Sequence, residues 1–333
     1  MYRIILDAMG GDHAPDVVIE GAVLALKEFS DLEICLVGRK DVIEEKLQKY
    51  EFDQKRIEIV HAQDVIEMAE PPVHAVRTKK DSSLVVGMNL VAEGKGDAFV
   101  TAGSTGATVA GGTLIVRRAK NVLRPALAPT IPTSAGCALL IDCGANVDCR
   151  PEQLQQFGVM GSIYMREVLG LQNPRVGLVN NGAEEEKGNA LTKETYQLLK
   201  NSDLNFVGNV EARDLPLGAC DVIVCDGFVG NVIMKLMEGC AVLFSNLLKQ
   251  EFMKKLKYQL GAALAKPALK NFKKQMDYTE YGGALLLGVN GGVIKAHGSS
   301  NAKAIKNAIR QARTFAQQRT VEIIKEKLAA LSK

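Results

Sequence analysis

A stretch whose residue types and spacing could seat an anion runs from Asp97 to Gly112, reading DAFVTAGSTGATVAGG. A short apolar run, Ala98 to Val100, meets a turn of Gly103, Ser104, Thr105 and Gly106, and small residues continue beyond it in a helix-like segment. A strand, a glycine turn and a helix start aim unpaired backbone N–H groups at one point, with the positive end of the helix dipole behind them. Such a point seats an anion, and phosphate above all. The competing reading is a plain strand–helix connection whose small residues serve close packing.

Other apolar runs end in the same vocabulary. The first closes in Asp7-Ala8-Met9-Gly10-Gly11-Asp12-His13-Ala14-Pro15, and others in Asp142-Cys143-Gly144-Ala145-Asn146, Asn180-Asn181-Gly182 and Asp226-Gly227-Phe228-Val229-Gly230-Asn231. Near the end come Gly288-Val289-Asn290-Gly291-Gly292 and then His297-Gly298-Ser299-Ser300. A single glycine turn is common punctuation. Five of them, each carrying Asp, Asn, Ser or His, point to one polar rim.

The elements behind this rim follow from periodicity. Short runs at Ile4–Leu6, Ile34–Val37, Ile57–Val60, Ala98–Val100, Ala138–Ile141, Val176–Val179, Asn205–Val207 and Val222–Val224 alternate with amphipathic stretches such as Val17–Phe29 and Val42–Tyr50. That alternation predicts βαβ units and a mostly parallel sheet between helical layers, a three-layer α/β fold. Ligands then belong at the carboxyl ends of the strands. The segment from Asn301 to Lys333 has helical spacing and is expected to close the fold.

With 333 residues, 47% of them hydrophobic and 24% charged, the chain can bury a substantial core and is neither disordered nor fibrous. Its seven cysteines show neither a disulfide framework nor metal-site spacing, so no metal is expected and a reducing cytosol is the natural compartment. Tyr2-Arg3 runs straight into Ile4-Ile5-Leu6 without a signal-peptide pattern. No run approaches the roughly 20 apolar residues that span a bilayer. Gly182–Gly188 has the wrong residue order for a Walker loop, and no GxGxxG follows a strand, so neither a nucleotide nor a nicotinamide cofactor is expected.

Together MGGDHAP (Met9–Pro15), TAGSTGA (Thr101–Ala107), D-x-GAN (Asp142–Asn146), NNGAEEEKGN (Asn180–Asn189) and CDGFVGN (Cys225–Asn231) resemble the phosphate acyltransferase PlsX family, in order and over the whole chain. The resemblance implies a fold like isocitrate and isopropylmalate dehydrogenase and the phosphotransacetylases. It implies conversion of acyl-acyl-carrier-protein and inorganic phosphate into acyl phosphate and free carrier protein for phospholipid synthesis, without a cofactor.

That chemistry needs an anion held and aimed and donors for a developing oxyanion. Gly103, Ser104, Thr105 and Gly106 are expected to hold phosphate, with Asp7, Gly10, Gly11, Asn146, Asp226, Gly227 and His297 around the substrate. Lys187 is the expected cation, His13 the residue adjusting phosphate protonation, and Asn231 a neutral donor; Asp7 and Asp226 orient rather than react. Each has an alternative: His13 as a local helix cap, Lys187 as an exposed partner of Glu184–Glu186, and His297 as ambiguous as His13. Cys143 and Cys149 raise an acyl-enzyme route, disfavoured because phosphate can attack the thioester directly.

Between Ser245 and Gln275, eight lysines face one acid, Glu251; the segment carries +7, and with +3 for the whole chain the remainder carries −4. Leu248, Phe252, Leu256, Leu260 and Leu264 repeat every fourth residue, Pro267 interrupts, and Leu269, Phe272 and Met276 resume. This predicts a projecting amphipathic helical pair, 240–277, on a single domain, 1–333. It suits a dimer interface, a landing surface for an acidic carrier protein, or a membrane contact whose apolar tip is flanked by lysines. Lys254, Lys257, Leu260, Leu264 and Lys266 are the contact candidates. The resemblance implies a homodimer, peripherally bound to the inner face of the membrane from the cytoplasm, with the downstream glycerol-phosphate acyltransferase as a further partner. Nucleic acid ranks last, because aromatic interleaving is confined to Tyr258 and Phe272. Competing readings are a phosphotransacetylase acting on acyl-coenzyme A, a decarboxylating dehydrogenase of the same fold, and a non-enzymatic membrane-surface scaffold.

Overall fold

A computed structural model of the chain describes residues 1–276 and 282–331. Position 277 of the expected projecting segment and positions 332–333 of the expected closing helices lie outside the described residues.

The eight short apolar runs all fall on strands, with Asn205 alone lying just before its strand, but in two sheets rather than one. In the first, β3 (Ile57–His61), β2 (Leu32–Gly38), β1 (Tyr2–Asp7), β4 (Ala98–Thr101) and β12 (Gly292–Lys295) run parallel, and β11 (Ala284–Leu287) and β5 (Ala126–Ala128) add antiparallel pairings. In the second, β6 (Thr130–Thr133) pairs antiparallel with β7 (Gly136–Ile141), followed by parallel β10 (Val222–Val224), β8 (Val176–Asn180) and β9 (Phe206–Glu211). Only Pro129 separates β5 from β6, so the chain crosses between sheets there.

The helices are α1 (Asp16–Glu28), α2 (Lys40–Leu47), α3 (Pro72–Thr78), α4 (Ser83–Ala92), α5 (Thr105–Gly111), α6 (Pro151–Glu167), α7 (Ala190–Lys200), α8 (Gly227–Met253), α9 (Leu256–Leu264), α10 (Lys266–Met276), α11 (Ala302–Gln317) and α12 (Thr320–Leu331). The three layers are visible in β1 itself. Ile4 and Leu6 join the core built with Val18 and Ile19 of α1 and Ile305 and Ile309 of α11, whereas Ile5 joins Val85 and Met88 of α4. Alternation across a sheet buried on both faces produces that split. The α1–α11 contact is backbone-close: a Cβ on Gly21 would stand 2.6 Å from the Ile305 Cβ.

The projecting segment is organised differently from a simple pair. The single helix α8 begins at the carboxyl end of β10, runs 27 residues outward, and buries only Gly227, Gly230 and Ile233. The break between α9 and α10 falls at Ala265, just before Pro267; a second break, at Lys254–Lys255, is not foreshadowed by Gly or Pro. Among the described residues, α8 is long and apolar enough by length and composition to cross a bilayer, with a mean hydropathy of 1.5 in its most apolar window. The run-length expectation missed this because isolated polar residues interrupt the apolar ones.

Candidate active site

Part of the expected rim comes together: residues from the turns after β1, β4, β7 and β12 and from the start of α8 line one cavity, whereas Asn180–Gly182 and Gly288–Gly292 do not, and several rim side chains hold the backbone instead of facing the ligand space. At the end of β1 the buried Asp7 accepts a hydrogen bond from Thr101 Oγ1 at 2.7 Å and another from the Met9 N–H at 3.1 Å. Thr101 Oγ1 in turn accepts the Gly103 N–H at 2.9 Å. That N–H is therefore turned inward rather than offered to an anion. Burial, opposed by these hydrogen bonds, raises the Asp7 carboxyl above its ordinary range. Gly10 completes the junction, because a Cβ there would lie 2.8 Å from the Gly103 nitrogen. Gly11 packs against the same turn at Ala102.

Ser104 caps α5: its Oγ accepts the Ala107 N–H at 3.4 Å, and its carbonyl accepts both the N–H and the hydroxyl of Thr108. A residue placed before a helix can serve as cap or as anion ligand, and here the hydroxyl is committed to the cap. Thr105 and Gly106 present the helix start to a cavity of about 610 Å³ between the two sheets.

The same cavity is lined by Lys295, the last residue of β12, which sits in register with Thr101 on β4. Only 8% of Lys295 is exposed. Its Nζ donates to the Ala296 carbonyl and, at 3.5 Å, to the Ala102 carbonyl. Burial lowers its pKa to about 8, a shift that Asp12 and Asp7 partly oppose. Asp12 also lines the cavity, and its N–H donates to the Gly298 carbonyl at 2.9 Å. A buried ammonium whose hydrogen-bonding partners here are neutral carbonyls is suited to an incoming anion.

His297 lines the cavity two residues beyond Lys295. Its Nδ1 accepts the Ser299 N–H at 3.2 Å and lies 2.8 Å from Ser299 Oγ, which assigns the neutral ring's proton to Nε2. Burial is the main influence lowering its pKa, with Lys295 and Lys235 adding to the shift. Neutral imidazole is thus favoured near pH 7.

The opposite wall is α8. Asp226 caps it, accepting the Val229 N–H at 2.8 Å. Asn231, Met234, Lys235, Met237, Glu238 and Ala241 then face the cavity over successive turns. Lys235 and Glu238 pair at 2.8 Å, and Asn231 has no hydrogen-bond partner among the described residues.

Underneath α8 lies a hub that sequence reading passed over. Buried Asp142 accepts from the N–H groups of Leu127, Cys143, Ala145 and Asn146 and from the Asn146 side chain. Asn146 Nδ2 also donates to the Pro125 carbonyl at 2.7 Å. Both amide protons are therefore used, and Asn146 ties β7 to the chain before β5 instead of meeting substrate. The N–H of Gly227 donates to the Asn146 carbonyl at 2.7 Å, fixing the start of α8 on this knot.

A sequence profile described as fatty acid synthesis protein matches residues 2–323. The phosphate acyltransferase of Alkaliphilus oremlandii is 54% identical over 329 residues, covering 99% of this chain and 98% of that protein. The chain belongs to the phosphate acyltransferase family. Among solved structures, a phosphotransacetylase from Streptococcus pyogenes superposes with a TM-score of 0.64 at 16% identity, covering 95% of this chain and 94% of that one. A Salmonella typhimurium protein described as a 4-hydroxythreonine-4-phosphate dehydrogenase gives 0.50 at 12% identity, covering 94% and 98%. Both likenesses speak for the fold, and they agree with the three-layer α/β architecture read from the sequence and with the dehydrogenase-like fold that the resemblance implies.

Of the expected phosphate acyltransferase site, the cavity gathers Thr105, Gly106, Asn231 and His297. His13 and Lys187 are exposed and do not line it. Lys187 lies on the loop after β8, its stem folded over Gly182, while Glu185 pairs with Lys200 at 2.8 Å. Lys295, Lys235, Glu238 and Asp12 were not anticipated. The signal for Lys295 was a lone lysine closing an apolar run, GVIK, just before His297.

Cys143 reaches the cavity, but burial and the neighbouring Asp142 push its thiol up to about 12, and its Sγ lies 3.5 Å from the Gly230 carbonyl. Burial likewise pushes Cys149 up to about 12. Neither is a thiolate near neutral pH, which argues against an acyl-enzyme. Among the described residues no group of three or more His, Cys, Asp or Glu could hold a metal ion.

Proposed function

We propose that this chain transfers the acyl group of acyl-acyl-carrier-protein to inorganic phosphate, releasing acyl phosphate and free carrier protein for phospholipid synthesis. The observation that carries the reading is a cavity, in a phosphate acyltransferase family member, that joins a buried cation and a helix start to a methionine-lined wall. Phosphate sits between the Thr105 helix start and Lys295. One of its oxygens attacks the thioester carbonyl carbon, the carbon–sulfur bond breaks, and the phosphate proton ends on the departing thiol. Asn231 donates to the oxyanion that develops on the thioester oxygen. His297, with its proton on Nε2, is placed to relay the proton to sulfur. Lys187 closes over the bound phosphate from its exposed loop, and His13 assists from outside the cavity.

The test is incubation of the protein with palmitoyl-acyl-carrier-protein and phosphate. Phosphate-dependent release of carrier thiol with a hydroxylamine-reactive product is expected. Its absence overturns the reading, and equal turnover of palmitoyl-coenzyme A moves it to a coenzyme A thioester.

The outer helices support a working position in the cytoplasm, as a homodimer on the inner face of the membrane and near the downstream glycerol-phosphate acyltransferase. Leu264 is 86% exposed and Leu260 61%. Lys254, Lys257 and Lys266 are exposed on the same stretch of chain, Lys254 pairing with Glu251, and Lys257 lies 5.4 Å from the Tyr258 ring centroid. Burial of the leucines in lipid and about 1 kcal/mol for each lysine near an anionic surface favour a peripheral contact. The lysines also suit an acidic carrier protein. Changing Leu260 and Leu264 together to Glu is expected to abolish sedimentation with phosphatidylglycerol vesicles while leaving Tm within about a degree, since both side chains are exposed. Undiminished vesicle binding would remove the tip from the contact.

A further inference from the structure

Four of the α8 residues facing the cavity, Asn231, Met234, Met237 and Ala241, recur at spacings of three and four and share one helix face. The stripe begins with the residue proposed to receive the thioester oxygen, and its remaining members are uncharged. Ten residues at 1.5 Å each make it about 15 Å long. Met234 and Met237 pack against the small core containing Ile131 and Cys143, so this side of the cavity is apolar and continuous with β6. The charged neighbours Lys235 and Glu238 neutralise each other. Ala241 is the last α8 residue to line the cavity; the residues that follow, Val242, Leu243 and Phe244, are exposed.

Resting on the acyl-transfer reading above, we infer that this stripe is the acyl-chain channel and that Ala241 and Met237 set the length of chain it accepts. With the thioester carbonyl at Asn231, the chain runs outward along α8 past two methionines. Their unbranched, polarisable side chains adapt to alkyl groups of varied length. A carrier's pantetheine arm would need partners for two amides, which the Met234–Met237–Ala241 stripe lacks. The small side chain of Ala241 keeps the outer end open. A bulky residue there stops long chains before their thioester reaches Asn231.

The experiment compares kcat/KM for butyryl-, octanoyl- and palmitoyl-acyl-carrier-protein in the full-length wild type, Ala241→Phe and Met237→Ala. In parallel, free fatty acids of graded length displace a fluorescent fatty acid from each protein, a binding readout that needs no turnover. Ala241→Phe is expected to lower the palmitoyl-to-butyryl ratio at least tenfold and to weaken long-chain displacement. Met237→Ala, which opens the channel part-way along, is expected to shift both toward longer chains. If Ala241→Phe slows all three substrates equally, the stripe holds the carrier arm and the inference falls. An unchanged length profile in both variants also overturns it. Absence of turnover with any carrier substrate, alongside a length-dependent displacement shift, would leave the channel standing and remove the acyl-transfer reading instead.

Discussion

Replacing Lys295 with Met is expected to lower kcat/KM for phosphate by about 10²-fold, mostly through KM, while the protein keeps or gains stability. A charge-assisted contact to an anion contributes roughly 1.5–3 kcal/mol, about 10- to 150-fold, and it is already made when phosphate binds. Lys295 meets the requirement because it is buried, lines the cavity, and donates to the Ala296 and Ala102 carbonyls instead of pairing with an acid. Stability moves the other way. Burial lowers the pKa from 10.5 to about 8, so the folded state disfavours the charged form. Linkage makes this a cost of about 3 kcal/mol, present in full below pH 8 and relieved as pH rises from 8 towards 10.5. Methionine fills similar space without the charge, so Tm near pH 7 is expected to hold or rise. Lower activity accompanied by a lower Tm would point to a structural role.

The same residue sets a pH limb. Phosphate binding needs the ammonium form, so kcat/KM for phosphate in the wild type is expected to fall above pH 8, approaching tenfold per unit. Bound phosphate restores charge to Lys295, so binding at pH 8.5 takes up a proton. Calorimetry in buffers of different ionisation heat reads that uptake directly. In Lys295→Met both the limb and the uptake disappear.

Why this lysine escaped sequence reading is instructive beside what did not. β1, β4 and β10 were legible because each carries three apolar residues in a row, Ile4–Leu6, Ala98–Val100 and Val222–Val224, followed by Asp, Thr or Cys, and the turns after them carry glycine. Strand β12 is only Gly292–Lys295, opened by a glycine and closed by a lysine, so half of it lacks strand character. It is a strand because β4 and β11 flank it, a tertiary fact. Ser104 shows the complementary limit. A hydroxyl ahead of a helix fits both cap and anion ligand, and only the burial of Ser104 and its contact with the Ala107 N–H separate the two uses. Asp142 was visible as a strand end, but its role depends on Leu127 and Asn146 converging on one carboxylate from fifteen residues before and four after. The two sheets read as one because each supplies similar short parallel strands, and because Ala126–Thr133, where the chain crosses at Pro129, was not read as strand at all.

Helix α8 ties these observations together, and Gly230 is where its position is decided. Gly227 donates to the Asn146 carbonyl, and a Cβ on Gly230 would overlap the Asp142 carbonyl oxygen. The helix start therefore rests directly on the Asp142 knot, one residue before Asn231. In an open helix, Gly→Ala stabilises by about 1 kcal/mol. At Gly230 the clash is with the Asp142 main chain, whose N–H donates to the Cys225 carbonyl and whose own carboxylate is held by five hydrogen bonds, so it cannot yield as a flexible side chain would. Gly230→Ala is thus expected to cost about 1–3 kcal/mol net and to shift the Asn231 end of α8 outward. A displacement near 1 Å at reacting groups costs about 10²-fold in rate, so kcat falls further than stability alone explains. Gly239 supplies the internal control: it lies on the same helix, outside the cavity lining, and a Cβ there meets nothing within 4 Å. Gly239→Ala is expected to raise Tm by about a degree or two and leave turnover alone. If both variants gain stability and keep kcat, α8 is not clamped to Asp142, and the proposed placement of Asn231 and the acyl stripe behind it loses its support.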